Sequence, residues 1–486
     1  MSRQSFGRHG FATRFGLHSE DDTARIGELL QLVQANDVES VRLSFVDQHG
    51  LLRGKTVLAK DLGDAFANGV SMTSTLLLKD TSHRTVFPVW GEQAVLGFES
   101  LRGAADFLML PDPATFRLLP WLKRTAWLLC DIYFTDGRPV PFSSRAICAD
   151  ALARLNQAGF GYRSGLEVEL HVFRLLDQNL GFSDSTHPAT PPSLELPAHG
   201  FQYLTESRGD ELEPITSLIQ QIALQLNLPL RSVETEFGPG QIEFTFHPTD
   251  GLSTADNMVL FRSAVKQVCR RNGYHATFMC RPGMPNLFSS GWHIHQSLYA
   301  MDSGENVFMP ESPEKPLSAT GLGFVAGLLE HAAAACVFTT PTINGYKRYQ
   351  PHALAPDRIS WGLDNKAAML RVLGGPGDSG SRVENRVPEP AANPYLVFAS
   401  QILAGLDGIQ RSLEPPPVST APYQAGDDKL PTSLFEAVHA LKDNEIFCGL
   451  IGQAFVDYIV AIKQAELARF MSEVTDWEQR EYLELF

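Results

Sequence analysis

The stretch Gly165-Leu-Glu-Val-Glu-Leu-His-Val-Phe173 alternates polar and apolar side chains along its whole length. Because alternate residues of a β-strand share a face, Glu167, Glu169 and His171 lie on one face and the apolar residues on the other. The two glutamates are then about 7 Å apart, at two rises of ~3.3 Å each. Carboxylates at this spacing repel each other unless a cation lies near them. The stretch therefore predicts a strand whose polar face lies near a cation and belongs to a functional site.

Three more segments in the second half of the chain alternate in the same way. Their polar faces carry Gln241, Glu243 and Thr245 in the first, His293, His295 and Ser297 in the second, and Arg382, Glu384 and Arg386 in the third. A solvated outer face is the ordinary explanation for one such strand, but it favours Lys, Ser and Thr. Four strands that carry acids, imidazoles and arginines instead indicate the wall of an active site.

The residue types on these faces narrow the chemistry. Carboxylates with few imidazoles and no thiolates suit Mg²⁺ or Mn²⁺ better than zinc. Arginines that face the same space suit phosphates and carboxylates. Metal ions and arginines together point to phosphoryl transfer, in which positioning and charge neutralisation do most of the catalysis. The formal net charge of -15 argues against nucleic acid or an anionic membrane as the main partner, but not against ATP, which needs only a local positive site.

The 486 residues are enough for two domains, and a turn-rich break at Asp136-Gly-Arg-Pro-Val-Pro141 is the candidate boundary. We predict an α+β fold with a disordered or loosely held tail over 1–21, a first domain over 22–138 and a second over 142–486. The first has a helix over 22–35, a hairpin over 40–47 and 51–58, and a strand over 127–134. In the second, strands alternate with helices at 144–158, 215–226, 253–271, 319–337, 395–410 and 449–471. No apolar run approaches the ~18 residues of a membrane span. The six cysteines show no CxxC spacing, which favours reduced thiols in a cytoplasmic protein.

Five motifs, in order, resemble those of the glutamine synthetase family, in its type I-like form. They are Gly165-Leu-Glu-Val-Glu169, Glu236-Phe-Gly-Pro-Gly-Gln-Ile-Glu243, Ser290-Gly-Trp-His-Ile-His-Gln-Ser297, Asn344-Gly-Tyr-Lys-Arg348, and Arg382-Val-Glu-Asn-Arg386 with Pro390-Ala-Ala-Asn-Pro-Tyr395. The resemblance implies an N-terminal β-grasp domain and a catalytic α/β domain, with an active-site funnel on an antiparallel sheet. It also implies a homo-oligomer of stacked rings, a dodecamer, with active sites between subunits.

The resemblance further implies a role for individual residues, together with ATP as co-substrate and two or more Mg²⁺ or Mn²⁺ ions per site. The first ion is expected on Glu169, Glu236 and Glu243, and the second on Glu167, His293 and Glu384. Nucleotide contacts are expected from His295, Ser297, Lys366 and Arg371. Substrate contacts are expected from Ser289, Gly291, Arg348, Leu354 and Arg386, with Asp47, Arg348 and Arg386 as catalytic residues and Asp47 donated by the adjacent subunit.

The same resemblance implies a two-step reaction. The γ-carboxylate of glutamate attacks the terminal phosphate of ATP, and an amine then displaces phosphate from γ-glutamyl phosphate. Glutamine synthetases place a glutamate that helps to bind and deprotonate ammonium six residues after the arginine that matches Arg348. This chain has Leu354 there, and a leucine can neither attract ammonium nor accept a proton.

We interpret Leu354 as the sign of a changed amine, which places the chain nearest the γ-glutamyl–amine ligases for polyamines, alkylamines and arylamines. An apolar residue favours an amine that carries carbon, and an alkyl- or arylamine more than a polyamine. Phe288-Ser289 replaces the family's Asn-Gly near the amino-acid end of glutamate, and Lys366 stands where an ATP-contacting arginine is usual. Two alternatives stay open: an ammonia-using glutamine synthetase, and a catalytically silent member with a structural or sensing role.

Overall fold

The computed structural model describes residues 10–177, 179–350, 355–424 and 428–486. Within these ranges the α-helices are α1 (Phe11–Phe15), α2 (Glu20–Ala35), α3 (Leu62–Asn68), α4 (Ser144–Gln157), α5 (Glu206–Gln225), α6 (Ser253–Arg271), α7 (Ala319–Glu330), α8 (Ala332–Thr339), α9 (Pro394–Gln410), α10 (Leu434–Lys442), α11 (Glu445–Leu450), α12 (Gln453–Met471) and α13 (Asp476–Tyr482). The strands are β1 (Ser40–Val46), β2 (Leu52–Leu58), β3 (Val70–Thr73), β4 (Asp106–Pro111), β5 (Arg117–Leu118), β6 (Thr125–Tyr133), β7 (Phe160–Leu175), β8 (Leu194–Glu195), β9 (Leu230–Thr235), β10 (Gln241–Phe246), β11 (Thr249–Asp250), β12 (Tyr274–Thr277), β13 (Trp292–Ala300), β14 (Trp361–Leu363), β15 (Leu370–Leu373) and β16 (Arg382–Asn385).

The first six strands form a sheet of their own. Their order is β2-β1-β6-β4-β3, and β5 pairs with β6. Strands β1 and β2 form the predicted antiparallel hairpin, whereas β1 and β6 run parallel. This mixed sheet agrees with the predicted β-grasp arrangement, and the limits of the two domains stay a prediction.

The remaining strands form a ten-stranded sheet that carries the polar-faced segments. Its order is β14-β15-β16-β13-β7-β10-β9, and β8, β11 and β12 also pair with β7. The four segments singled out in the sequence are β16, β13, β7 and β10, which are consecutive neighbours and pair antiparallel. The predicted antiparallel sheet is therefore confirmed, and adjacency brings its polar side chains together.

The apolar face of this sheet belongs to the hydrophobic core, in which α9 is almost wholly buried. Asn393 caps α9 by accepting a hydrogen bond from the Tyr395 backbone N–H, and Pro394 occupies the first turn, as the sequence predicts. Helix α7 packs on α9 at very short range. A Cβ at Gly327 would lie 2.0 Å from the carbonyl oxygen of Ala404, so only glycine allows this approach.

Three predicted helices differ from those observed, each for a local reason. The apolar run 319–337 is divided into α7 and α8, which meet at 77° around His331, where the imidazole binds Asp407 at 2.8 Å. The run 449–471 is divided at Gly452, whose φ of +103° is open to glycine and strained for other residues. Helix α5 begins at Glu206, earlier than predicted, and includes Pro214. In the described part of the chain no single helix has the length and apolarity of a membrane span, and α7 and α8 reach them only when taken together.

The described part of the N-terminal tail, residues 10–21, contacts α3. Helix α1 buries Ala12, and a Cβ at Gly10 would lie 2.9 Å from the carbonyl oxygen of Ala67 in α3. Ser19 and Asp22 then form a capping box at the start of α2. Within residues 10–21 only Gly10 and Ala12 are buried, and the predicted tail over 1–21 stays a prediction.

A buried arginine connects the two halves of the chain. Arg145 on α4 donates hydrogen bonds to Asp112 at 2.6 Å, to Asp131 at 2.8 Å and to Asp256 at 2.9 and 3.0 Å. Asp112 directly follows strand β4 of the first sheet, and Asp131 lies in strand β6 of the same sheet. Asp256 lies on α6, beneath the second sheet. One guanidinium thus binds three carboxylates from both regions.

We expect Arg145→Met to destabilise the protein by roughly 3–5 kcal/mol, because it leaves three neighbouring carboxylates without their cation. Urea unfolding followed by circular dichroism measures the change. The matched control is Arg154→Met on the same helix, whose exposed pair with Asp150 should contribute less than about 1 kcal/mol. Equal losses in the two variants would show that the three-carboxylate contact has no special weight.

Candidate active site

Strand register aligns the polar residues of the second sheet. The directly opposed pairs are Glu167 with His293, Glu169 with Glu243, Glu234 with Glu243, His295 with Glu384, and Arg371 with Glu384. Opposed residues in antiparallel strands have Cβ atoms ~4.5–5.5 Å apart. The pleat therefore builds one continuous row of acids, imidazoles and arginines across the sheet.

His293 lies at the centre of the acidic part of this row. Its ring nitrogens are 3.2 Å from Glu167, 3.8 Å from Glu169, 3.8 Å from Glu243 and 3.9 Å from Glu384. Burial, and then the charge of a neighbouring arginine, lowers the pKa of His293. The imidazole is therefore neutral at pH 7, which is the form that binds metal ions.

Two glutamates of the cluster resist ionisation. Burial first, and then the Glu169 carboxylate, raises the pKa of both Glu236 and Glu243 well above that of an ordinary glutamate. The cause is a buried excess of negative charge that the neighbouring side chains do not balance. A divalent cation would supply the missing positive charge, and carboxylates with one imidazole are suitable ligands for Mg²⁺ or Mn²⁺. The donor set thus fits such an ion.

Glu167 differs from these two acids. Burial opposes its charge, but hydrogen bonds from His293 and His295 outweigh burial and hold the pKa of Glu167 well below its ordinary value. It is 3.2 Å from His293 and 2.9 Å from His295. Glu167 is therefore an ionised carboxylate at neutral pH, shared between two imidazoles.

Two groups of three side chains have ligand atoms within 4.8 Å of one another. They are Glu167, Glu243 and His293, and Glu167, His295 and Glu384. His295 Nδ1 accepts a hydrogen bond from Arg382 at 3.0 Å, so a neutral His295 carries its proton on Nε2, which lies 2.9 Å from a Glu167 oxygen. That nitrogen has no lone pair for a cation. His293 has no donor as close, since its contact with Arg348 is 3.5 Å long.

Glu384 is fully buried between two arginines. Arg371 binds it at 3.0 Å and Arg386 binds its other oxygen. Burial opposes the charge of Glu384, but Arg386 and His293 outweigh it and lower the pKa of this carboxyl. The carboxylate fixes two guanidinium groups that also border the cavity.

Arg348 is buried beside His293. Its Nη1 donates to the carbonyl oxygens of Arg386 and Val387, each at 3.0 Å. A Cβ at Gly291 would lie 2.5 Å from Arg348 Nη2 and 2.9 Å from His293 Nε2. Glycine at 291 is thus required for the arginine and the imidazole to approach the same strand.

The loop that carries Arg348 is anchored at two points. Glu389 accepts hydrogen bonds from the backbone N–H and the hydroxyl of Thr342, both at 2.9 Å. Asn344 pairs with the backbone of Arg281 through contacts of 2.8 and 2.9 Å. Burial raises the pKa of Glu389 to about 7. The first anchor fixes the loop to the chain after β16, and the second fixes it to the 281–289 segment.

These side chains enclose a cavity of about 520 Å³. Acids line it on the β7, β9 and β10 side, and arginines and a lysine on the β15 and β16 side and from the loops. Its lining is Glu167, Glu169, Tyr203, Glu234, Glu236, Phe237, Gln241, Glu243, Arg281, Leu287, Phe288, Ser289, His293, Arg348, Gln350, Lys366, Arg371 and Arg386.

The family model for the catalytic domain of glutamine synthetase matches residues 142–482. The chain belongs to the glutamine synthetase family. It is 40% identical to the γ-glutamylanilide synthase of an Acinetobacter species, over 98% of this chain and 99% of that protein. It is 30% identical to the glutamine synthetase of Methanosarcina mazei, over 94% and 97%. A solved structure of GmaS without ligand has a TM-score of 0.78 and 28% identity, covering 94% of this chain and 99% of that one.

As a member of the glutamine synthetase family the protein is a carbon–nitrogen ligase. Most residues that the family motifs single out border the cavity or touch its walls. Five of the six expected metal ligands line it, and the sixth, Glu384, lies directly behind His293 and the two arginines. Ser289, Arg348, Lys366, Arg371 and Arg386 line it as well.

Other expected residues lie away from the cavity. Asp47 is buried in the β1–β2 turn, where its carboxylate accepts from the backbone N–H groups of His49 and Leu51 and from Arg53. His295 and Ser297 follow His293 along β13 without lining the cavity. Leu354 lies outside the described residues.

Sequence inspection missed several lining residues. Glu234 on β9 had a signal, since it lies two residues before Glu236 and would share its face in a strand. Tyr203, Phe237, Leu287, Arg281 and Gln350 had none, because they lie in loops where no periodicity marks the face that a side chain occupies.

Proposed function

We propose that the protein joins the γ-carboxylate of glutamate to an organic primary amine, with cleavage of ATP to ADP and phosphate. The observation that carries this proposal is a single cavity in which a buried acid–imidazole cluster faces several fixed arginines. The higher identity to a γ-glutamylanilide synthase, 40%, than to a glutamine synthetase, 30%, supports an organic amine over ammonia.

We assign the cations to two groups of ligands. The first is Glu169, Glu236 and Glu243, and the second is Glu167, His293 and Glu384. The tautomer of His295, with its proton on Nε2 beside Glu167, supports leaving it out of both. When bound, Mg²⁺ or Mn²⁺ would supply positive charge to the phosphate oxygens of ATP.

The reaction balances in two steps. A γ-carboxylate oxygen of glutamate attacks the terminal phosphorus of ATP, and the bond to ADP breaks with its electron pair going to ADP. The amine nitrogen then attacks the acyl carbon, the carbon–oxygen bond breaks, phosphate leaves and the nitrogen loses a proton. Arg348, Arg371 and Arg386 are held before substrate arrives, so they neutralise developing charge without reorganisation.

Residue 354 supports an organic monoamine. A leucine there cannot hold ammonium, and it offers carbon for an alkyl or aromatic group to contact. A polyamine would need further carboxylates for its distal charges.

We also propose that the protein assembles into stacked rings, with Asp47 completing the site of a neighbouring subunit. Asp47 is not among the residues that line the cavity of its own chain, so the proposed catalytic role requires that it reach the cavity of another copy. A dodecamer is the expected assembly and the cytoplasm the expected location, where ATP and glutamate are available and the unpaired cysteines stay reduced.

We expect an amine panel to separate the candidate functions. Phosphate release is measured with Mg²⁺, ATP, glutamate and, in turn, ammonia, isopropylamine, cyclohexylamine, aniline and putrescine. An organic monoamine should give the highest kcat/KM, about tenfold or more above ammonia, since burying ~60 Å² of carbon contributes about 1.5 kcal/mol.

Each other outcome selects an alternative. Ammonia with the highest kcat/KM would make the protein an ordinary glutamine synthetase. Putrescine with the highest value would overturn the interpretation of residue 354. No phosphate release with any amine would leave a silent family member.

A further inference from the structure

Three aromatic rings in contact line one side of the cavity: Tyr203, Phe237 and Phe288, which we call the aromatic shelf. Tyr203 and Phe237 stack with centroids 4.5 Å apart and planes 7° apart. Phe237 and Phe288 are 5.8 Å apart at 33°. Tyr203 is 38% exposed and Phe288 43% exposed, although both lie among apolar neighbours. The described chain thus leaves part of the Tyr203 and Phe288 side chains exposed, and all three residues line the cavity.

The shelf is held in place by the backbone. The N–H of Phe201 donates to the carbonyl oxygen of Phe237 at 2.8 Å, and that of Leu204 donates to Thr235 at 3.2 Å. A Cβ at Gly200 would lie 2.5 Å from Pro239, so the two segments are in direct contact there. Rings fixed in this way lose little entropy when a flat ligand stacks on them.

The shelf lies at the acidic end of the cavity. Phe237 follows Glu236, and its N–H donates to that carboxylate at 3.3 Å. Burial first, and then the charges of Glu236 and Glu243, raises the pKa of Tyr203 to about 12. Strands β9 and β10 carry this end, whereas Arg371 and Arg386, the candidate phosphate groups, lie at or after β15 and β16, across the sheet.

We propose that the aromatic shelf of Tyr203, Phe237 and Phe288 binds the ring of a primary arylamine and directs its nitrogen toward the acidic cluster. This inference rests on the proposed function and names the class of amine. An arylamine is uncharged at neutral pH, because its lone pair is delocalised into the ring. It therefore enters an apolar wall without losing the hydration of a charge and attacks the acyl carbon without prior loss of a proton.

The shelf distinguishes aromatic from aliphatic rings of equal size. Offset and tilted ring pairs 4.5–7 Å apart gain attraction beyond the area that they bury. Cyclohexylamine buries similar area but lacks the flat π-face, and at neutral pH it carries a charge. Adenine also has a flat face, so the kinetic test must separate the amine from the nucleotide.

The test compares aniline with cyclohexylamine in the full-length protein and in the variants Phe288→Leu and Phe288→Tyr. In the wild type, kcat/KM should be higher for aniline. Phe288→Leu should lower kcat/KM for aniline about tenfold and that for cyclohexylamine less than about threefold, with the KM values of ATP and glutamate unchanged. Phe288→Tyr, which keeps the ring, should retain the wild-type preference. Phe435→Leu, an exposed phenylalanine on α10 that does not line the cavity, is the control and should change nothing.

A binding measurement tests whether the shelf holds the ring of aniline, independently of whether the protein is a ligase. Saturation-transfer NMR with aniline and with cyclohexylamine needs no turnover, and the aniline ring signal should weaken in Tyr203→Leu and Phe288→Leu. Saturation transfer to aniline without phosphate release would contradict the ligase proposal and support binding of aniline at the aromatic shelf. Equal losses for both amines, a raised KM for ATP, or an unchanged aniline signal in the leucine variants would overturn the shelf while leaving the ligase proposal intact.

Discussion

Replacing Glu384 with alanine is expected to abolish ligase activity, with a fall in kcat of about a thousandfold or more. The carboxylate is a proposed cation ligand, and it is also the only described carboxylate in hydrogen-bond contact with both Arg371 and Arg386. Its loss therefore removes a ligand and the contact that joins Arg371 to Arg386, although Arg371 keeps its hydrogen bonds to Asp364. Phosphate release at saturating ATP, glutamate and amine measures the effect.

Glu384→Gln separates chemistry from stability. The amide keeps the size of the side chain and one carbonyl acceptor for an arginine, so its melting temperature should stay nearer to that of the wild type than the alanine variant's does. Its activity should still be lost, because a neutral amide neither balances the arginines nor binds Mg²⁺ well. Glu330→Ala, at the exposed end of α7, is the control. A glutamine variant with more than a tenth of the wild-type rate would contradict the role of the charge.

The acidic row could be predicted because a strand has a period of two and neighbouring strands keep register. Once Glu167 and Glu169 share a face, the choice of partners is limited to strands with matching polar faces. The sequence contains three of these, at Glu243, His293 and Glu384, and the structure makes them neighbours. The hairpin of the first sheet and the starts of α4, α7 and α9 follow from equally local signals, such as the Asn393-Pro394 cap.

The aromatic shelf could not be predicted in this way. Tyr203 and Phe288 lie in loops, about 85 positions apart along the chain, and they meet through Phe237 only because backbone hydrogen bonds join residues 201–204 to 235–237. The division of α7 from α8 at His331 depends likewise on a distant partner, Asp407. Local patterns predict which face a residue takes, whereas contacts between loops depend on the completed fold.

The two kinds of contact have different consequences for function. The register-determined row of acids and arginines is suited to the step that the family shares, the activation of a carboxylate by phosphate. The loop-determined shelf borders the same cavity, with Tyr203 and Phe237 at the β9–β10 end and Phe288 in the segment between β12 and β13. Loops tolerate substitution better than paired strands, so the amine can change without disturbing the phosphoryl-transfer machinery.

The second large effect is expected for Glu243→Gln. Divalent cations should decide whether this substitution raises or lowers the melting temperature. In the metal-free protein, burial and the Glu169 carboxylate raise the pKa of Glu243 above its unfolded value. The folded state then binds a proton that the unfolded state releases, so stability falls as pH rises from the ordinary glutamate range through the raised pKa. Glu243→Gln removes this loss, and without metal at pH 8 it should melt at a higher temperature than the wild type.

Added Mg²⁺ or Mn²⁺ should reverse that order. The wild type gains RT ln(1 + [L]/Kd), about 2.7 kcal/mol at a hundredfold excess over Kd, whereas the glutamine variant has lost a charged ligand and gains less. EDTA should abolish the wild-type activity, and restored Mg²⁺ should return it. Thermal melts of wild type, Glu243→Gln and the exposed control Glu330→Gln, each at pH 5 and pH 8 with and without metal, measure the reversal. If the two proteins keep the same order of melting temperatures with and without cations, the carboxylates around His293 do not form a metal site, because an ion bound there would stabilise the wild type more than the variant.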